Sequence, residues 1–268
     1  MGRLRRLDAE LVRRGMARSR QHAEELIGAG RVQVGGQPAT KPATQVDPGA
    51  ALVVAAVDDD PGYASRGGHK LAGALDVFGP LGLGVEGRDC LDAGASTGGF
   101  TDVLLRRGAR HVIAVDVGYG QLVWSLQQDA RVSVLDRTNI RELTPDQLAY
   151  RPELVVADLS FISLRLVLPA LRDCAQPQAD LVLMVKPQFE VGRERLGTGG
   201  VVRDPQLRAE TVASVAESAH GLGLGTRAVT ASPLPGPSGN VEYFVWLQAG
   251  APALQQDDLD RAVAQGPA

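Results

Sequence analysis

The stretch Asp92-Ala-Gly-Ala-Ser-Thr-Gly-Gly-Phe-Thr-Asp102 constrains this 268-residue chain most, because it sets a glycine-rich turn directly behind the short segment Arg88-Asp-Cys-Leu91. With helix-forming Val103-Leu-Leu-Arg-Arg107 after it, the region reads as strand, turn and helix. That arrangement is how α/β proteins bring backbone N–H groups close to a nucleotide-like ligand. The glycines fall at Gly94, Gly98 and Gly99 with Ser96 between them, which departs from the G-x-G-x-x-G of a dinucleotide fold. Asp92 opens the turn, where its charge would oppose a pyrophosphate. It suits a ligand with a positive centre and no phosphate, and S-adenosyl-L-methionine answers that description.

Beyond the turn, apolar runs alternate with amphipathic ones. Residues 111–116, 132–135, 154–158, 180–186 and 224–230 read as strands, and 122–129, 164–172 and 205–220 as helices. Asp204 is placed to cap the last of these, with Pro205 at its first position. The alternation predicts a Rossmann-like α/β fold, a mostly parallel sheet with helices on both faces. Residues 241–247, apolar and aromatic with no helix behind them, predict a final antiparallel strand. In such sheets ligands sit at the carboxyl ends of the strands. Asp92, Asp116, Asp136, Asp158 and Lys186 each close an apolar strand. Any one of them fits a solvated strand end or a helix cap, but five together predict a site. Asp116, 24 residues beyond Asp92, has the spacing of an acid that takes ribose hydroxyls, and Asp136 is placed for an adenine amino group.

The net charge of −3 conceals an asymmetry. Residues 1–31 hold eight Arg against Asp8, Glu10, Glu24 and Glu25, a local charge of +4, so the remainder carries −7. A basic module joined to an acidic body is expected to face RNA or a membrane surface. Helices are predicted over 7–14, ending at Gly15, and over 19–29, capped by Ser19 and stopped at Gly30. Short strands are predicted at 32–34 and 52–55. This segment resembles the S4-type RNA-binding domain through Arg6-Leu-Asp8, Leu11, Gly15, Ser19-Arg20, Ala23, Leu26-Ile27, Gly30, Val32 and Val34-Gly-Gly36. The resemblance implies RNA-phosphate contacts from Arg5, Arg6, Arg18 and Arg20. Taken alone, the same arginines fit a solvated helix face.

The expected organisation is an S4-type domain over 1–58, a linker over 59–66, a catalytic domain over 67–248 and a C-terminal tail over 249–268. Lys70 falls in the first turn of a predicted helix, where a cation opposes the helix dipole, so its placement raises a functional question. The turn Asp92-x-Gly94-Ala-Ser96-Thr-Gly98-Gly99-Phe100 resembles the cofactor motif of the FtsJ-like 2′-O-ribose methyltransferases, and Ser65-Arg-Gly-Gly-His-Lys70 resembles their N-terminal motif. That resemblance implies cofactor contacts from Ser65, Arg66, Gly67, Asp92, Gly94, Ser96, Gly98, Gly99, Phe100, Asp116, Val117, Asp136 and Asp158. It also implies a catalytic tetrad of Lys70, Asp158, Lys186 and Glu242. With Lys186-Pro-Gln-Phe-Glu190 and Pro233-Leu-Pro-Gly-Pro-Ser-Gly-Asn-Val-Glu242 matching too, the chain to Gln248 resembles the TlyA family of ribosomal RNA methyltransferases, also called haemolysins. The resemblance implies cytidine 2′-O-methylation in small-subunit RNA, with large-subunit RNA as a second candidate, and loss giving resistance to capreomycin-type antibiotics.

A ribose 2′-OH is a poor nucleophile, so methyl transfer needs a proton acceptor. Lys186 is the base candidate, since a neighbouring cation, Lys70, and partial burial favour the neutral amine, with Asp158 and Glu242 holding the two amines. The partner implied is ribosomal RNA or a ribosomal subunit, with no metal and no stable membrane association, and the protein is expected to be a cytoplasmic monomer. Only two cysteines, Cys90 and Cys174, occur, which argues against a disulfide framework or a zinc site. Three rival readings stand beside this one: a membrane-acting haemolysin, an RNA-binding adaptor with an inactive methyltransferase fold, and a dehydrogenase. The first lacks an apolar span or a basic amphipathic helix, the second sits poorly with a complete tetrad, and the third with the broken glycine pattern.

Overall fold

The computed structural model describes residues 4–17, 20–55 and 61–267. The chain divides into two compact units, Met1–Arg66 and Gly67–Ala268. Arg18, Ser19 and residues 59 and 60 of the expected linker lie outside the described residues.

In the first unit, β1 (Arg5–Arg6) leads into α1 (Leu7–Arg13), followed by α2 (Arg20–Gly28), β2 (Val32–Val34), β3 (Gln37–Pro38), β4 (Gln45–Val46) and β5 (Leu52–Val54). β1 pairs with β4, and β2 lies between β3 and β5, all antiparallel. Leu7 and Leu11, one helical turn apart, meet Ala23, Leu26 and Ile27 of α2 in a closed core that Val32, Val46 and Leu52 complete.

The second unit runs α3 (Gly67–Phe78), β6 (Asp89–Ala93), α4 (Gly99–Arg106), β7 (His111–Val115), α5 (Trp124–Gln127), β8 (Val132–Leu135), β9 (Leu154–Ala157), α6 (Leu164–Cys174), β10 (Asp180–Val185), α7 (Pro187–Glu190), α8 (Pro205–His220), β11 (Leu224–Ala231), β12 (Tyr243–Ala249) and α9 (Gln256–Ala264). The sheet order is β11-β12-β10-β9-β6-β7-β8. Strands β6 to β10 are mutually parallel, and β12 inserts antiparallel between β10 and β11. This is the α/β architecture that the alternation predicts.

Side chains alternate across each strand, so one parity packs on each helical layer. Leu91, Ile113, Val155, Leu183 and Val245 join the core built with α6, α8 and α9. The opposite parity meets α3 and α4, where Phe78 contacts Trp246 and Phe100 contacts Phe244 at centroid distances of 5.8 and 6.0 Å. Asp92 has this second parity and faces α4.

Two segments differ from the sequence expectation. The helix expected over 122–129 shortens to α5, because Val123 is extended (ψ 145°) and caps it from outside. Within 249–268, set apart as a tail, α9 packs on α8 and β11 and buries Leu259 and Ala262 in the sheet core. Its apolar stripe is narrow, Leu259 and Ala262 with Val263 at its edge, which hid it among polar neighbours.

Candidate active site

The parallel register brings the polar strand ends together. Ala93 of β6 lies beside Ala157 of β9, so Gly94 and Asp158 leave the sheet side by side. Val185 of β10 pairs with Tyr243 of β12, so Lys186 and Glu242, the next residues outward, emerge beside each other. Four elements distant in sequence thus deliver the tetrad to one edge.

Each lysine is matched to one carboxylate. Lys70 Nζ donates to Glu242 Oε2 at 2.5 Å, with both side chains almost fully buried (8% and 1% exposed). Lys186 Nζ lies 2.5 Å from Asp158 Oδ1 and donates to Ser160 Oγ at 2.9 Å. Two cations and two anions leave the cluster formally neutral. The neighbour that Lys186 was expected to feel, Lys70, is compensated by Glu242, and the carboxylate nearest Lys186 is Asp158. Gln188 Nε2 reaches Glu242 Oε1 at 3.5 Å. Gly236 lies against this carboxylate: a Cβ there would stand 2.6 Å from Glu242 Oε1 and would displace it.

Lys186, Gln188, Glu242 and Asn240 line a cleft of about 780 Å³, together with Phe161 and Phe189. Phe161 is 91% exposed and holds a left-handed backbone, φ +63°, which a bulky side chain rarely adopts. Its ring stands 5.1 Å from that of Phe189, over which Lys186 Nζ lies at 6.0 Å. Glu190 anchors this loop from below: buried, it accepts hydrogen bonds from Ser163 Oγ at 2.5 Å and Leu164 N at 2.7 Å, capping α6. Sequence reasoning missed Ser160, Phe161, Gln188, Phe189 and Glu190 as site components. The position of residues 160 and 161 just past a strand end could have flagged the first two, and the matched motif Lys186-Pro-Gln-Phe-Glu190 held the other three.

The turn after β6 is built as its glycines require. Gly94 has φ +85°, and a Cβ there would stand 2.6 Å from the Asp158 carbonyl oxygen, so only glycine lets the turn pass the end of β9. Gly98, φ +99°, precedes α4 as its N-cap, and Gly99 is the first helical residue. Asp92 is fully buried; its Oδ2 accepts from Thr101 Oγ1 at 2.7 Å, while Oδ1 has no hydrogen-bond partner among the described residues. Burial pushes its carboxyl up to about 7. Asp116 accepts from the backbone N–H of Ser96 at 2.8 Å and of Gly118 at 2.7 Å, and Asp136 from Gly120 N–H at 2.9 Å. Both carboxylates therefore brace the loops around the turn as well as standing at strand ends. Val117 is 75% exposed between them. Phe100, in the first turn of α4, is buried with its ring against that of Phe244. Gly67 is the first residue of α3, and Ser65 and Arg66 belong to the first unit.

Residues 63–249 match the family model of the FtsJ-like methyltransferases, and residues 5–52 that of the S4 domain. Over the full length of both chains the sequence is 60% identical to the 16S/23S rRNA (cytidine-2'-O)-methyltransferase TlyA of Mycobacterium tuberculosis. The chain belongs to the TlyA family. It is also 37% identical to Hemolysin A of Brachyspira hyodysenteriae, over 89% of this chain and 98% of that one. A solved structure from Streptococcus thermophilus, provisionally named a hemolysin, shares 37% identity and superposes with a TM-score of 0.78, covering 98% of this chain and 95% of that one.

In this TlyA chain the S4 unit holds its arginines in place with acids. Arg6 and Arg20 both donate to Asp8 Oδ2, at 2.8 and 2.9 Å. Arg13 and Arg14 donate to Glu10 Oε1 at 2.5 and 2.8 Å, and Arg5 lies 3.9 Å from Glu10 Oε2. Arg5, Arg6 and Arg20 keep about half of their side-chain surface exposed (54%, 43% and 58%).

Proposed function

We propose that this protein transfers the methyl group of S-adenosyl-L-methionine to the 2′-hydroxyl of cytidine in ribosomal RNA. The observation that carries the reading is the coupled pair of ion pairs, Lys70–Glu242 and Asp158–Lys186, beside the Gly94 turn. The site fits the cofactor. Asp92 Oδ1 is buried without a hydrogen-bond partner among the described residues, so a positive group would suit that end of the sheet, and Gly94 and Gly98 allow close backbone approach. Asp92, Gly94, Ser96, Gly98, Asp116, Val117 and Asp136 would hold the cofactor, with Ser65, Arg66 and Gly67 added on the strength of the family motif. When bound, it supplies an electrophilic methyl on a sulfonium.

Lys186 Nζ, in its neutral form, would accept the 2′-OH proton as the oxygen takes the methyl carbon and the carbon–sulfur bond breaks, releasing the neutral thioether S-adenosyl-L-homocysteine. Asp158 and Ser160 hold Nζ in place, and Asp158 stabilises the ammonium that results. Lys70, fixed by Glu242 and seconded by Gln188, adds a buried cation beside the developing alkoxide. A positioned base contributes about 10²–10⁴-fold, and holding oxygen and methyl in line adds more. Phe161, exposed and held out by its backbone, offers a stacking face to an unpaired base. Arg5, Arg6 and Arg20 of the S4 unit would grip phosphates, which fixes position without reading sequence.

The name of the Mycobacterium tuberculosis relative supports cytidine and both subunit RNAs as substrates. On this reading the protein works on ribosomal RNA or subunits in the cytoplasm. Purified protein, methyl-labelled cofactor and unmodified ribosomal RNA should give 2′-O-methylcytidine on nucleoside digestion. Label in a base methyl would contradict the reading. Two of the relatives described above carry hemolysin names, and among the described residues no helix is long and apolar enough to cross a membrane. Lysis of erythrocytes by the purified protein would favour that second reading.

A further inference from the structure

The S4 unit contains two buried acids whose burial serves no step of methyl transfer. Asp8 and Glu10 open α1 and are both inaccessible to solvent. A carboxylate in that position must be compensated, and here guanidinium groups do it. Asp8 takes Nε and Nη2 of Arg6 on one side and Nη2 of Arg20 on the other. Glu10 takes Arg13 through Nε at 2.8 Å and Nη2 at 2.5 Å. The hydrogen bond from Arg6 holds the Asp8 carboxyl well below the usual carboxylate range, and those from Arg13 and Arg14 take Glu10 down to about 2.

The arginines fall into two kinds. Arg14 donates to Glu10 and also to the carbonyl oxygens of Pro48 and Ala50, and its side chain is 21% exposed; it is a strut of the fold. Arg6, Arg13 and Arg20 are clamped by a buried acid along one edge yet stay 43%, 47% and 58% exposed. A free arginine loses rotamer freedom when it grips a phosphate, whereas a fork clamped beforehand has already lost it.

We propose that Asp8 and Glu10 are positioning residues that fix Arg6, Arg13 and Arg20 as a rigid comb of forks for the phosphates of an RNA backbone. The inference rests on the reading that the S4 unit binds RNA. It adds Arg13 to the contact set and assigns Asp8 and Glu10 a role through their arginines. It also reverses a sign. By net charge alone, removing a carboxylate from a basic surface tightens RNA binding; by positioning, it weakens it.

The test uses the full chain and a ribosomal RNA transcript, with affinity measured across a salt series. Asp8→Asn is expected to weaken binding about tenfold and to lower the slope of log affinity against log salt by about one phosphate contact. Cofactor affinity should stay unchanged. Arg20→Ala should cost less in the Asp8→Asn background than in wild type, because Asp8 acts through Arg20. Arg20→Lys, on an exposed side chain with no change of net charge, should likewise lose slope, and it serves if Asp8→Asn does not fold. Binding that tightens or holds in Asp8→Asn, additive effects of Asp8→Asn and Arg20→Ala, or an Arg20→Lys slope equal to wild type would overturn the inference. A wild-type chain that does not bind the transcript would instead remove the RNA-binding reading itself.

Discussion

Asp92 offers the sharpest physical test of the cofactor end. Its carboxyl is fully buried, hydrogen-bonded through one oxygen to Thr101, and raised by desolvation from 3.8 to about 7. The folded protein therefore binds this proton more tightly than the unfolded chain does. Folding takes up a proton between about pH 4 and 7, so the stabilisation is complete at the acid end and is lost as pH rises through that window. The full difference is on the order of 4 kcal/mol, at about 1.4 kcal/mol per unit. Asp92→Asn keeps the shape, can still accept from Thr101 and has nothing to titrate. Between pH 5 and 8 the wild-type protein should lose about 3 kcal/mol relative to the variant, a melting shift of about 6–12 °C for a unit of this size. Thermal melts across that range measure it. Adding the cofactor should shrink the difference, because a positive ligand favours the ionised carboxylate, and the variant should bind cofactor more weakly. Parallel pH profiles for the two proteins would refute the reasoning, since they would mean that Asp92 does not titrate as a buried, uncompensated acid.

Other substitutions probe the remaining parts of the site. Gly94→Ala forces a Cβ to within 2.6 Å of the Asp158 carbonyl at φ +85°, a strain of about 1–3 kcal/mol, and should cost cofactor affinity by calorimetry; unchanged affinity would show that the turn tolerates side chains. Glu242→Gln leaves the Lys70 ammonium buried without its anion and should destabilise by about 3–5 kcal/mol in denaturant titration. The double change Lys70→Met with Glu242→Leu should recover much of that stability while remaining inactive, and recovered activity would count against the tetrad. Phe161→Ala should leave folding and cofactor affinity intact, since the ring is 91% exposed, but lower methyl transfer to RNA; wild-type transfer would deny it a role in holding the base.

What was legible in the sequence is what short-range chemistry encodes. Asp204 and Pro205 announce α8, and the side chain of Asp204 does accept from Gln206 N–H at 2.9 Å. Parallel strands buried on both faces appear as continuous apolar runs, so the polar residue closing each run marks its carboxyl end. Asp116, Asp136, Asp158 and Lys186 each stand one residue past the ladder. Pairings across the sheet were not legible. The family motif implied that Asp158 and Glu242 hold the two lysines, but that Glu242 takes Lys70 depends on β12 inserting beside β10, which no local pattern states. The left-handed backbone of Phe161 gave no sign either, since a bulky residue rarely adopts it and no local pattern signals it. The acids at the start of α1 misled in another way. Arginines in a charge run are expected to point into solvent, but Asp8 and Glu10 turn inward and bring one edge of each fork with them.

The role proposed for Lys186 is to accept the 2′-OH proton during methyl transfer to a cytidine of ribosomal RNA. It is tested most directly by mapping 2′-O-methyl groups on ribosomal RNA treated with wild-type protein or with Lys186→Ala, with cofactor binding measured on the same samples. The expected result is a 2′-O-methylcytidine present only with wild type, while the variant still binds cofactor. A variant that binds cofactor and methylates the same position at the wild-type rate would contradict the account.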